Sequence, residues 1–315
     1  MSRRIDAIED AVAIGLRALP AWRGKANVAL WWKRVRERRG PLDGDWHLRL
    51  SEGSDVCQPR GSNMAWSVAA TGYWDRHIVE LLAPYIEPGT VALDIGASLG
   101  LWTLPLARAA AFNRGRLWCF EPNPENLPWL EANIGRNELS SVVEVHAVAL
   151  GSRRGTAQLG CREHGGGNGA LLDAAAAETV EVPVIRLDDL DFQRRVSFVK
   201  MDVEGFELEV LRGARTLIER DRPSIFGEFN QAWLRMRGED LAAELASITA
   251  LGYGIFGVEE RRSASWRPKD VAELRRIRPP FAMGAENLLL VPEARGGPST
   301  VASKARVRSA DHGQA

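Results

Sequence analysis

Five carboxylates stand at the ends of short apolar runs: Asp94 in "VALDIG", Glu121 in "CFEP", Asp202 and Glu204 in "VKMDVEG", and Glu228 in "IFGEFN". Apolar runs of that length, separated by helical patterns, predict buried parallel strands whose ends share one edge of a sheet. Acids gathered there repel one another and raise at least one pKa, which suits a general base. Asp202 or Glu204 is the expected base, with Glu228 close by. The competing assignment has Asp202 accepting a ligand ammonium and Glu204 organising its loop. His164, in the glycine-rich "HGGGNG" that also holds Asn168, is the runner-up base.

The turn after Asp94 narrows the ligand. It reads Gly96-Ala97-Ser98-Leu99-Gly100, and a dinucleotide fingerprint requires glycine where Ser98 stands. Asp94 would also set a negative charge beside a bound phosphate. A phosphate-free ligand with a cationic end fits better, and S-adenosylmethionine is one, carrying an ammonium, a sulfonium and a carboxylate. The turn amides would take its carboxylate and Asp94 would favour its cationic part. A helix-capping role for Asp94 stays open. Glu121 follows Gly96 by 25 positions, near where doubly wound folds place an acid on ribose hydroxyls. Val148, beside Ala147, would flank an adenine. A magnesium ion between the acids is conceivable, but no ligand spacing demands a metal.

The elements that must position these residues alternate along the chain. Strands are predicted over 90–96, 115–122, 141–150, 196–205, 223–230, 253–259 and 286–292, and helices over 71–86, 99–111, 124–137, 206–220 and 239–252. Such alternation implies an α/β fold: a mostly parallel, seven-stranded Rossmann-like sheet with helices on both faces. Residues 1–70 form a helical or irregular extension. Its basic "WWKRVRERR" predicts a solvated helix that packs Trp31 and Trp32 on the main domain, with a membrane-surface helix as the alternative. Residues 71–292 form the main domain, interrupted by a lid-like insertion at 151–195, and 293–315 read as a disordered tail.

These segments resemble the FkbM-type methyltransferases. The likeness rests on "VALDIGASLGLWT", "CFEPNPEN", "AVALGSRRG", "VPVIRLDDL", "VKMDVEGFELEVLRGA" and "RPSIFGEFN", which cover about residues 75–230. The resemblance implies the class I methyltransferase fold and S-adenosylmethionine as cofactor. It also implies methyl transfer, usually to a hydroxyl of a sugar, glycan or small secondary metabolite. By the same likeness Asp94, Gly96, Ala97, Ser98 and Gly100 would hold the methionyl part, Glu121 the ribose, and Asp202 and Glu204 would form the acidic stretch after the fourth strand. A nicotinamide oxidoreductase or a catalytically silent binding protein of the same fold remain alternatives.

Composition sets the outer bounds. The 315 residues carry 41 basic and 41 acidic side chains, so the long-range field of a nucleic-acid binder is missing and a small or glycan acceptor is expected. No run approaches the roughly 18 apolar residues of a membrane span. Three widely spaced cysteines form no disulfide framework, so a reducing, cytoplasmic setting is the default.

Overall fold

The computed structural model describes residues 12, 15–19, 24–38, 40, 42, 44–161, 178–261, 271–278 and 287–293. Helix α1 (Lys25–Glu37) precedes a hairpin of β1 (Asp45–Arg49) and β2 (Asp55–Pro59), then α2 (Asn63–Thr71) and α3 (Arg76–Leu82). The alternation that follows is β3 (Val91–Ile95), α4 (Thr103–Phe112), β4 (Arg116–Phe120), α5 (Leu127–Arg136), β5 (Val143–His146), β6 (Ala149–Leu150), β7 (Gly155–Cys161) and β8 (Glu178–Ile185). After these come β9 (Val196–Met201), α6 (Glu207–Gly213), α7 (Arg215–Asp221), β10 (Ser224–Glu228), α8 (Gln231–Met236), α9 (Leu241–Ala250), β11 (Tyr253–Arg261), β12 (Val271–Ile277) and β13 (Asn287–Pro292).

The main sheet has the order β12-β11-β13-β10-β9-β3-β4-β5. Strands β5, β4, β3, β9 and β10 are mutually parallel, whereas β13 runs against both its neighbours and β12 against β11. Among the described residues the sheet therefore has eight strands rather than seven. The additional one, β12, reads "VAELRRI", and such a charged edge strand carries too little apolar alternation to announce itself.

Four other elements differ from expectation, one of them the helix expected over 206–220, which is the two helices α6 and α7 divided at Ala214. The apolar run at 141–150 is two strands, because the chain leaves the main sheet after His146 and β6 pairs with β8 in a separate sheet of order β6-β8-β7. The fourth strand stops at Met201, since Glu204 and Gly205 both adopt positive φ. The helix predicted at 71–86 is shortened to Arg76–Leu82 because Gly72 (φ 82°) caps α2 and Asp75 is also left-handed. Within the expected insertion, β7 and β8 form an antiparallel ribbon. His164 and Asn168, and the tail after Glu293, lie outside the described residues.

Strand alternation sorts the core onto the two sheet faces. Leu93, Ile95, Val199 and Met201 pack with Leu208, Leu217 and Ile218 of α6 and α7. Ala92 and Phe198 face the opposite layer, with Leu104 and Leu106 of α4. In the N-terminal region Trp32 packs on the cluster of Ala29, Trp46 and Trp66, whereas Trp31 is 60% exposed, so only one of the two tryptophans is a packing residue.

Candidate active site

A pocket opens beyond the carboxyl ends of β3, β4 and β9, where open α/β sheets bind ligands. Gly96, Ser98, Glu121, Val148, Asp202 and Glu204 line it. Six of the sequence-predicted site residues thus meet in one cavity. Asp94, Ala97, Gly100 and Glu228 are not in its lining. Ala97 is buried behind the turn, where it packs with Leu101 and Trp102, and Gly100 closes the turn with a φ of 94°, three residues before α4, its carbonyl accepting from Leu104 N. Glu228 is half-buried at the end of β10, in register with Asn287.

Asp94 lies beneath the pocket rather than in its wall. It shares the sheet face of Ala92, pointing into the α4 layer, and is fully buried. Thr103 donates to its Oδ2 at 2.7 Å, and Lys200 Nζ stands 3.1 Å from its Oδ1. The second contact is a fully buried ion pair. Burial alone would depress the Lys200 ammonium, but the charges of Asp94, Asp202 and Glu121 outweigh it and hold the pKa above the usual value. Asp94 is therefore neutralised by a lysine of the neighbouring strand, and the pair acts on the turn indirectly: Lys200 Nζ donates to Gly96 O at 3.0 Å.

The turn is closed onto the second strand. The amides of Gly96 and Ala97 both donate to Phe120 O, that of Gly100 to Ala97 O, and that of Ser98 to Glu121 Oε2 at 2.7 Å. These four N–H groups are engaged within the protein, which corrects the expectation that they stand free for a ligand carboxylate. Gly96 (φ 77°) is obligatory: a Cβ there would lie 2.0 Å from Asp202 O, so the first turn and the acidic loop touch backbone to backbone. Ser98 Oγ is buried without a partner.

Glu121 is 5% exposed. Besides Ser98 N, it accepts from Asn123 N at 2.9 Å and from Asn126 Nδ2 at 3.2 Å. Burial raises its pKa against these donors. A carboxylate has about four acceptor positions, so with three occupied it keeps capacity toward the pocket.

Asp202 continues the sheet through its amide, which donates to Ile95 O, and Glu204 (φ 51°) then turns the chain back. This loop is held from below by Glu207, whose Oε1 accepts from Val203 N and Gly205 N, both at 3.2 Å. Burial, aided by the charge of Asp202, pushes the Glu207 carboxyl up to about 7 despite those donors, and its Oε2 has no partner. Glu207 and Lys200 are the functional residues that sequence reasoning missed. The only signal for Lys200 was a cation inside an otherwise apolar strand; its pairing with Asp94 is set by the register of two parallel strands. For Glu207 the only signal was an acid on the apolar face of a helix.

A family model described as the methyltransferase FkbM domain matches residues 94–255, just over half of the chain. The chain belongs to the FkbM methyltransferase family. This FkbM-family chain is 26% identical over 196 residues to methyltransferase sdnD of Sordaria araneosa, covering 49% of the chain and 75% of the relative. It is 27% identical over 155 residues to methyltransferase 1 of Beauveria bassiana (strain ARSEF 2860), covering 42% of the chain and 61% of that relative. The solved structure of methyltransferase FkbM from Methylobacillus flagellatus KT is similar over 65% of this chain and 43% of that one, at 22% identity and a TM-score of 0.39. Precorrin-6y C5,15-methyltransferase from Geobacter metallireducens GS-15 is similar over 69% of this chain and 85% of that one, at 15% identity and a TM-score of 0.36. The fold is Rossmann-like on its own topology, a mostly parallel sheet of alternating strands and helices with apolar layers on both faces. Among the described residues no helix is long and apolar enough to cross a membrane.

Proposed function

We propose that this FkbM-family methyltransferase uses S-adenosylmethionine to methylate a hydroxyl oxygen of a sugar, glycan or small secondary metabolite. The observation that carries the reading is a single pocket with a glycine turn and Glu121 on one wall and Asp202 with Glu204 on the other. The residues suit the cofactor. Ser98 Oγ lacks a partner, and Glu121 has an acceptor position to spare for ribose hydroxyls. Val148 and the ring of Phe120 offer apolar surface for a base.

When bound, S-adenosylmethionine supplies an electrophilic methyl group on a sulfonium. Gly96 and Ser98 would hold its methionyl half, with Ala97 and Gly100 shaping the turn behind them. The Asp94–Lys200 pair would fix that turn through Gly96 O. A neutral hydroxyl attacks poorly until its proton leaves, and Asp202 or Glu204 would accept that proton. His164 keeps its place as the runner-up base. Buried free thiols at Cys57 and Cys119 support a reducing, cytoplasmic setting.

Calorimetric titration with S-adenosylmethionine, S-adenosylhomocysteine and NAD tests the reading. The first two are expected to bind and NAD is not. Binding of NAD in their place sinks it, since that would put a pyrophosphate across the turn.

A further inference from the structure

A second cleft adjoins the cofactor pocket and plays no part in the chemistry above. The two share Leu150, and the loop after β9 divides them, with Val203 and Glu204 on the cofactor side and Phe206 on the other. Strand β7 contributes to both, Leu159 to the first and Ala157 to the second. The second cleft thus opens beside the acids that would activate an acceptor.

Its chemistry is set by two arginines, Arg153 and Arg237. Most arginines nearby are paired: Arg154 with Asp189, Arg212 with Glu209, Glu239 and Glu244, Arg215 with Glu219, and Arg220 with Asp221. Among the described residues, Arg153 and Arg237 have no carboxylate partner. Arg237 is also held in place, its guanidinium carbon 3.6 Å from the Phe206 ring centroid, and its buried Nε has no hydrogen-bond partner. A stacked guanidinium keeps its N–H edge for a planar or tetrahedral anion and loses little freedom on binding one. The one acid of the cleft is Glu209, and its two oxygens are taken by Ser152 Oγ and, at 2.9 Å, by Arg212. Burial opposes its ionisation, but those donors outweigh it and keep the carboxyl below the usual range. Its charge is therefore satisfied before any ligand arrives.

We propose that this cleft binds an anionic group of the methyl acceptor, a carboxylate or a phosphate ester, on Arg153 and Arg237, while the hydroxyl to be methylated faces Asp202 and Glu204. The inference rests on the methyltransferase reading and narrows its substrate class to hydroxy compounds that carry an acid, such as a uronic acid or a sugar phosphate. The two sites divide the work by charge: acids beside the group that must lose a proton, cations beside the group that anchors the molecule.

The test is calorimetry on the full chain, first with S-adenosylhomocysteine, then with glucose 6-phosphate, glucuronate and glucose added to the saturated protein. Glucose 6-phosphate or glucuronate is expected to bind at least tenfold more tightly than glucose, and the stronger of the two identifies the anion. Arg237→Gln and the exposed Arg153→Gln should each weaken that anion at least tenfold, Arg237→Lys should recover part of the loss, and all three should keep the wild-type affinity for S-adenosylhomocysteine, which also reports an intact fold. Equal binding of glucose, no anion binding by the wild type, or anion affinity unchanged in both glutamine variants overturns the proposal. A parallel loss of S-adenosylhomocysteine affinity overturns it as well, because the cleft would then hold the cofactor's own carboxylate. Arginine-dependent anion binding without any S-adenosylhomocysteine binding would overturn the acceptor role and the cofactor assignment together; anion failure with intact cofactor binding removes the cleft proposal alone.

Discussion

The tips of β3 and β9 are neighbours, and both carry an acid in the same kind of sequence, yet they end up in opposite environments. Asp94 is still inside its strand, where alternation turns it into the α4 layer and parallel register sets Lys200 beside it. Asp202 is one residue past its strand, where alternation no longer binds, and the left-handed Glu204 and Gly205 bring the loop round to the pocket. One carboxylate is thereby a structural ion and the other a wall of the site. A carboxylate's place relative to the last ladder residue, rather than its nearness to a strand end, decides which role it takes.

The sharpest way to break that contrast is to remove the counter-ion. Lys200→Met leaves Asp94 charged, buried and supported by Thr103 alone, and breaking a buried pair from one side costs on the order of 3 to 5 kcal/mol. Urea unfolding should register that loss. The double variant Asp94→Leu with Lys200→Met should recover most of it, because no uncompensated charge remains. A single variant within about 1 kcal/mol of wild type would mean that solvent reaches Asp94 and that the two strand tips are alike after all.

Next in size is the loop's own support. The Glu207 carboxyl ionises near 7 in the folded protein against an ordinary 4.5, chiefly because it is buried. The folded chain therefore holds this proton more tightly than the unfolded chain. The resulting stability is complete below pH 4.5 and is lost as pH rises through the interval to about 7, for a total of about 3 kcal/mol. Glu207→Gln keeps an oxygen for Val203 N and Gly205 N and cannot ionise. Denaturation at pH 5 and pH 8 should show the variant gaining on wild type at the higher pH, and a wild-type profile as flat as the variant's would show Glu207 to be hydrated.

Much of this molecule was legible in its residues, for identifiable reasons. The parallel centre of the sheet could be read because Val91–Ile95 and Val196–Met201 are buried on both faces and hence mostly apolar, interrupted only by Asp94, Ser197 and Lys200. The pocket could be read because Gly96, Glu121 and Asp202 sit where strands end. Side-chain direction at Asp94 could not, because it depends on which partner strand lies alongside and in which register. The engaged turn amides were likewise hidden, since Phe120 O and Glu121 reach them across 20 or more residues of sequence. Strand β12 was missed because charged edges lack the alternation that marks inner strands.

On the open side of the comparison, Glu121 joins the turn to its own loop while facing the pocket. Glu121→Gln puts an amide N–H₂ against either Ser98 N or Asn123 N, each already a donor. Affinity for S-adenosylhomocysteine should fall by about 1 to 3 kcal/mol, the range for losing charged hydrogen bonds. Unchanged affinity in calorimetry would place the ribose elsewhere.

The smallest effect is the most diagnostic, because its sign differs between the free and the bound protein. Ser98 is left-handed, with φ at 50°, and its hydroxyl is buried without a partner. Replacing it by alanine removes that unsatisfied group and keeps a side chain with the same backbone strain, so the free protein should be as stable as wild type or slightly more so. If the hydroxyl is left unpaired because a ligand is meant to complete it, the same substitution should weaken S-adenosylhomocysteine by about 1 kcal/mol. Thermal denaturation of the free chain and calorimetry of the complex should therefore move in opposite directions. A variant that loses stability in the first measurement and nothing in the second would make Ser98 another sealed group like Asp94, and the open wall would begin at Glu121.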